Sequence, residues 1–279
     1  MELVRITENN LEELEDRIPP DVAENIGREY YRGIATADGN ASESAALIWE
    51  LKNAEADENK AAELIWMSDP SGEYGEELFS EYKGEAEEEA LERSFFELPP
   101  EEELKALFTD QGFSVEEREG TDLYVSLKEL SSHAIASGKV PDYVMGIGEL
   151  LVRQYRRGIM NCLFNNRKGV LEDLAYLPMG WFDQEVSSCI MTDGRASGFL
   201  LVHETPSGLL KVEFMFAFEP DAQTNLIYMV RRSIQAAAEK FSPETQVLLP
   251  RHNEATMRLT GKLFPGKKGL TVMAGERGE

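Results

Sequence analysis

Few side chains in this 279-residue chain are spaced for chemistry, and the clearest is a carboxylate, Glu213. It falls in Leu210–Phe218, where alternation predicts a strand. One face would carry Lys211, Glu213, Met215 and Ala217, the other Val212, Phe214, Phe216 and Phe218. A carboxylate placed beside a cleft can take a proton from an attacking nucleophile. The same pattern also suits a strand carboxylate that is merely paired with Lys211. His203 and Glu204 end the preceding predicted strand, and His252 opens the last predicted helix; an imidazole near a cleft could serve as a base. The chain has three histidines, without metal-like spacing, and its two cysteines, Cys162 and Cys189, form no C-x-x-C, so no metal site is expected. There is no G-x-S-x-G elbow and no paired-carboxylate pattern, which leaves hydrolytic chemistry without support.

Composition limits the partners. Residues 1–130 hold 11 Lys and Arg against 36 Asp and Glu, whereas residues 131–279 hold 17 against 16. The acidic half would repel a phosphate backbone, so nucleic acid is not an expected partner, and any polyanionic ligand belongs to the second half. No apolar run reaches the length of a membrane span, the first residues do not read as a signal peptide, and cysteine is sparse. A cytoplasmic protein without a membrane partner is the expectation.

The elements that must position Glu213 repeat. Shifted by 151 positions, Ala45–Asn53 falls on Ala196–Glu204, Ala62–Met67 on Glu213–Phe218, Ser94–Pro99 on Thr245–Pro250, and Phe113 on Phe264. The first copy reads as a strand at Leu3–Thr7, helical spacing over Leu11–Gly27, and strands at Leu47–Leu51 and Leu64–Met67. A helix at Glu76–Leu91, a strand at Phe95–Leu98 and a helix at Glu101–Asp110 follow, with a closing hairpin of Val115–Arg118 and Leu123–Leu127. The second copy opens on two helices, Tyr143–Asn165 and Val170–Tyr176. Strands at Ser187–Thr192, Phe199–His203 and Leu210–Phe218 come next, then a helix at Thr224–Phe241, a strand at Gln246–Leu249, a helix at Asn253–Leu263 and a strand at Leu270–Ala274. This is a mixed-sheet α/β fold in two domains, 1–130 and 131–279.

The element order, and the helix Asn253-Glu254-Ala255-Thr256-Met257-Arg258-Leu259-Thr260-Gly261-Lys262-Leu263-Phe264, resemble the GNAT acyltransferase superfamily. Asn253, Leu259, Lys262 and, one place early, Phe264 follow that family's N-x-x-A-x-x-L-Y-x-K-x-G-F pattern. The resemblance implies a tandem GNAT-like fold and transfer of an acyl group from acetyl-CoA to a small-molecule or peptide amine, without a metal. It implies cofactor contacts from the strand backbone of Phe216, Ala217 and Phe218, from Gln223, Thr224 and Asn225 at the next helix start, and from Arg231 and Asn253. Asn253 equally suits a helix N-cap. The resemblance makes Glu213 the base, and Thr260 stands where the family has a tyrosine acid; Thr109 holds that place in the first copy. Arg232, Lys267 and Lys268 add positive charge for phosphates. Trp181-Phe182 and Tyr30-Tyr31 precede the strands where the family lines its acceptor pocket, or else belong to the core.

The cofactor loop departs from the family. A [QR]-x-x-G-x-[GA] loop lets backbone N–H groups close on a pyrophosphate at a helix N-terminus. The second copy reads Asp221-Ala222-Gln223-Thr224-Asn225-Leu226, without glycine, and the first reads Asp69-Pro70-Ser71-Gly72-Glu73-Tyr74-Gly75-Glu76-Glu77, crowded with carboxylates. The second copy is therefore the expected CoA-binding one and the first a degenerate one. A GNAT-fold module that binds or regulates without catalysis is the alternative.

Overall fold

The computed structural model describes residues 2–14, 17–37, 44–54, 58–165, 172–218, 220–251 and 254–278. The chain begins with strand β1 (Leu3–Arg5), a 3-10 turn at Leu11–Leu14 and the short helix α1 (Pro20–Ala23). The antiparallel strands β2 (Tyr31–Thr36), β3 (Ala46–Lys52) and β4 (Ala61–Ser68) lead into helix α2 (Gly75–Glu88). Strand β5 (Arg93–Leu98), helix α3 (Glu102–Asp110) and strand β6 (Ser114–Glu119) follow. The chain then enters a second compact unit at Thr121 and returns to the first at Thr271. That excursion holds β7 (Asp122–Ser126), α4 (Leu127–Ser132), β8 (Val144–Gly146), α5 (Val152–Asn165), β9 (Ser188–Thr192) and β10 (Arg195–Glu204). It continues through β11 (Leu210–Ala217), α6 (Ala222–Lys240), β12 (Gln246–Pro250) and α7 (Glu254–Leu263). The last strand, β13 (Thr271–Gly278), belongs to the first unit.

Unit 1 is a seven-stranded sheet in the order β1-β2-β3-β4-β5-β13-β6. On one face Trp49, Phe79, Tyr82, Phe96, Phe108 and Phe113 pack together, with Phe96 and Phe108 ring centroids 4.1 Å apart. Helix α2 supplies Leu78, Phe79, Tyr82 and Ala86 on a single stripe, the spacing expected of a half-buried helix. It stops at Ala90, whose φ of 54° turns the chain so that Leu91 N–H can donate to the Ala86 carbonyl. The other face carries a smaller apolar cluster including Ile6, Ile18, Ile26 and Ile48.

Unit 2 is a six-stranded sheet in the order β7-β12-β11-β10-β9-β8. Met229, Ile234 and Ala237 of α6 cover one face, and Tyr155, Ile159, Cys162 and Leu163 of α5 cover the other. The β9–β10 hairpin turns through Asp193 and Gly194, with φ values of 51° and 73°, the twist-matched two-residue turn.

Several expectations change. Residues 114–126 are not a hairpin: β6 pairs with β13, while β7 pairs with β12 in the other sheet. The unit boundary therefore falls at 120/121 rather than 130/131, and the C-terminal strand completes the first sheet. Strand β2 was not anticipated, because its Tyr31 was read as a pocket or core aromatic. The helix expected from Tyr143 begins only at Val152; before it lie β8 and a 3-10 turn containing Gly148. In the second expected helix, 170 and 171 lie outside the described residues, and Glu172–Ala175 is a 3-10 turn. The register of 151 also resolves into compensating steps. Leu201 plays the part of Ile48, 153 positions earlier, at the bulge described below, and Glu213 plays the part of Ile65, 148 positions earlier. The 19-residue α6 against the 14-residue α2 restores the five positions.

Candidate active site

The site in unit 2 is made by an irregularity in β11. Leu201 pairs with Phe214 but Val202 pairs with Val212, so Glu213 is an extra residue, a β-bulge. Because a bulge resets alternation, Val212 joins Met215 and Ala217 on the α6 face, and Phe214, Phe216 and Phe218 take the α5 face. The expected grouping of Val212 with the phenylalanines is corrected accordingly. Glu213 shares its face with Lys211 instead, and their side chains form an ion pair of 3.0 Å.

The bulge also ends a pairing. The parallel ladder between β11 and β12 consists of Leu210 with Val247 and Lys211 with Leu248, and it stops immediately before Glu213. Beyond that point β11 keeps β10 on one side and, among the described residues, has no strand partner on the other, so a wedge opens along its edge. Phe218 N–H donates to the Ser197 carbonyl, which by alternation directs the backbone groups of Met215 and Ala217 toward the wedge. At the wide end stands the N-terminus of α6, whose Asp221 makes no side-chain cap and whose Gln223 and Thr224 are exposed. Asn225 N–H already closes on the Asp221 carbonyl, leaving the amides before it for an anion.

Unit 1 repeats the frame. Ile48 pairs with Trp66 and Trp49 with Leu64, so Ile65 is bulged, and the β4–β5 ladder ends at Leu64 with Phe96. Its anion corner differs. The Asp69 carboxylate accepts from Gly72 N–H at 3.1 Å and the Ser71 hydroxyl at 3.0 Å through one oxygen. Its other oxygen accepts from Tyr74 N–H at 3.0 Å and Gly75 N–H at 2.8 Å, at the start of α2. The chain's own carboxylate thus occupies the amides that a pyrophosphate would need, and Glu76 and Glu77 follow in the first turn. These residues do not fit a phosphate ligand; those at the start of α6 do.

The other predicted residues are placed as follows. The Thr260 hydroxyl donates to the Thr256 carbonyl at 2.8 Å, and Thr109 does the same to Lys105, so each proton is directed into its own helix. Arg231 donates to the carbonyls of Ile135 and Lys139, and Arg232 to that of Glu185, so both fasten neighbouring loops. Lys267 pairs with Glu129 at 2.6 Å. His203 stacks on Trp181 with centroids 4.6 Å apart, and its Nδ1 lies 2.7 Å from the Trp181 carbonyl oxygen. Phe182 and Tyr30 are core residues. Phe216 and Phe218 pack edge to face at 5.0 Å, while Ala217 is buried under α6. His252 and Asn253 lie outside the described residues. The sequence reading missed the bulge, which leaves no compositional mark. It also missed the part played by Asp69, although the Asp-x-Ser-Gly start of that loop is a turn signal.

No protein-family model matches the chain, and no curated protein does. Solved structures do match. A tandem GNAT protein from the clavulanic acid biosynthesis pathway aligns over 99% of this chain and 98% of its own, at 10% identity and a TM-score of 0.62. A GCN5-related glucosamine N-acetyltransferase region of a fungal multi-domain β-N-acetylglucosaminidase aligns over 99% of this chain and 38% of that one, at 9% identity and a TM-score of 0.60. A GCN5-related N-acetyltransferase from Kribbella flavida aligns over 99% and 70%, at 13% identity and a TM-score of 0.51. At such identities the likeness is one of fold, and the chain carries the GNAT acetyltransferase fold across its whole length.

Proposed function

We propose that the chain is an acyl-CoA N-acyltransferase whose donor lies in the unit 2 wedge. The observation that carries this reading is the coincidence at Glu213 of a bulge with the end of the β11–β12 ladder. It frees the Met215 and Ala217 backbone to pair with the amides of an extended thiol arm, as a missing strand would. The phosphates of acetyl-CoA would meet the first-turn amides of α6 around Gln223, Thr224 and Asn225. The acceptor amine would attack the thioester carbonyl directly. The C–N bond forms, the C–S bond breaks, the thiolate leaves, and the amine's surplus proton passes to Glu213 or to water. Lys211, 3.0 Å from Glu213, steers that carboxylate. Unit 1, with Asp69 in its anion corner, serves as a framework.

A second reading is favoured by one observation. The Thr260 hydroxyl, at the family's acid position, is committed to the Thr256 carbonyl, and a module that binds acyl-CoA without transferring the acyl group needs no acid there. The experiment is thermal unfolding with millimolar acetyl-CoA or desulfo-CoA. A ligand selective for the folded state stabilises by about 2.7 kcal/mol at a hundredfold excess over its Kd. The upward shift should disappear in Thr224→Glu, which sets a carboxylate at the helix start. No shift with either ligand would sink the donor site, and a shift without thiol release across a panel of amines would favour the binding module.

A further inference from the structure

A second concave region of unit 2 lies on the α5 face of the sheet. A cavity of about 610 Å³ is lined by Arg153, Gln154, Arg157, Asn161 and Arg195 together with small residues. A neighbouring one of about 500 Å³ shares Asn161 and Arg195 with it and extends to Thr192, Asp193, Ser197 and Phe218. Three features of the fold bring these groups together. Arg153, Arg157 and Asn161 recur every four residues along α5, so they stand in one row roughly 6 Å apart. Gly158 lets the helix close on β10, since a methyl group there would come within 2.8 Å of Ala196 and the Phe199 ring. Gln154 reaches the Gly194 carbonyl at 3.4 Å, holding the hairpin tip and with it Arg195 against the helix.

The charge there is unusual for this molecule. Residues 131–279 hold 16 acidic residues, so an exposed arginine there has possible partners. Yet among the described residues the side chains of Arg153, Arg157 and Arg195 make no ion pair or hydrogen bond. Like charges four residues apart on a helix repel each other, and an anion between them removes the penalty. A guanidinium presents a planar fork of donors matched to phosphate oxygens. The single carboxylate of the region, Asp193, lines the outer cavity and not the inner one.

We infer that a small phosphate-bearing molecule binds the cleft between α5 and the β9–β10 hairpin. Its phosphate lies among Arg153, Arg157 and Arg195, and the rest of it runs toward Thr192, Ser197 and Phe218. None of the lining residues given for the two cavities belongs to α6, and the inference does not depend on the acyl-transfer reading.

The test is calorimetric titration of the full chain with inorganic pyrophosphate, at low ionic strength and without metal. The titrations are made in a Thr224→Glu background, which closes the start of α6 to anions, and one saturable site should remain. Arg157→Gln and Arg195→Gln should each weaken binding about tenfold, as expected for loss of a charge-assisted donor pair. Lys128→Gln, which removes a surface cation elsewhere in unit 2, should leave it unchanged. All three positions are on the surface, and retained cooperative unfolding verifies that each variant folds. Undiminished binding in both arginine variants, or no binding in the Thr224→Glu background itself, would overturn the proposal. So would the absence of a saturable pyrophosphate site in a protein that sediments with vesicles of phosphatidylglycerol and phosphatidylcholine.

Discussion

Replacing Asp69 by alanine should destabilise unit 1 while leaving ligand binding in unit 2 intact. The carboxylate accepts from Gly72, Tyr74 and Gly75 N–H and from the Ser71 hydroxyl, at 2.8 to 3.1 Å. Losing a helix N-cap costs about 1 kcal/mol, and losing an anion at a helix N-terminus a further 0.3–1 kcal/mol or so. Half-exposure of the loop argues against adding more, which leaves about 2 kcal/mol. For a unit of this size that is a fall in Tm of about 6–8 °C. The units can be read separately, because Trp49 and Trp66 belong to unit 1 and Trp181 to unit 2. In a Trp181→Phe background, tryptophan fluorescence reports unit 1 alone. An unchanged unit 1 transition in Asp69→Ala would refute the idea that this carboxylate stands in for a bound anion. Loss of the acetyl-CoA effect in that variant would refute the assignment of the donor to unit 2.

Other outcomes follow from the same geometry. Ending the chain after Leu270 should unfold unit 1, because β13 pairs on one side with β5 and on the other with β6 and buries Met273 and Ala274; Trp49 and Trp66 fluorescence would report the loss. Glu129, which accepts from Lys267 and from the Ser126 backbone, is held below its ordinary value of 4.5, chiefly by the Lys267 hydrogen bond. A depressed carboxylate stabilises above its unfolded pKa, and that stabilisation is lost as pH falls through the folded one. Glu129→Gln keeps the capping-box geometry but loses the charge that faces Lys267, so its stability gap from wild type should be some tenths of a kcal/mol up to about 1 kcal/mol at pH 7 and vanish in acid urea titrations. Burial pushes the Cys162 and Cys189 thiols up to about 12, so neither should react with a disulfide reagent at pH 8 until the protein is unfolded. A fast-reacting thiol in the native protein would contradict that burial.

Much of the fold was legible because periodicity and local chemistry agreed. The stripe Leu78, Phe79, Tyr82 and Ala86 marks α2, and the aromatic strands around Trp49 and Trp66 are marked by their composition. What was not legible depends on pairing at a distance. Nothing in Leu123–Ser126 or Thr271–Ala274 says which sheet each strand completes, so the crossing of β7 and β13 was invisible. A bulge is a count of residues between two ladders and has no residue signature, which is why Glu213 was rightly placed beside Lys211 but wrongly on one face with Met215 and Ala217. Arg231 and Arg232 were expected at phosphates because of their charge, yet loop carbonyls claim them, whereas Arg153 and Arg157 went unremarked on a helix whose partner hairpin only the fold supplies.

The central claim is that an acyl-CoA donor completes the wedge of unit 2 and not that of unit 1. Amide hydrogen exchange with and without saturating acetyl-CoA tests it residue by residue. A donor in the unit 2 wedge should bring new protection at Met215 and Ala217 and in the first turn of α6, with Ser68–Glu77 of unit 1 unchanged. Protection at Ser68–Glu77, or none at the edge of β11 while acetyl-CoA is demonstrably bound, would contradict it.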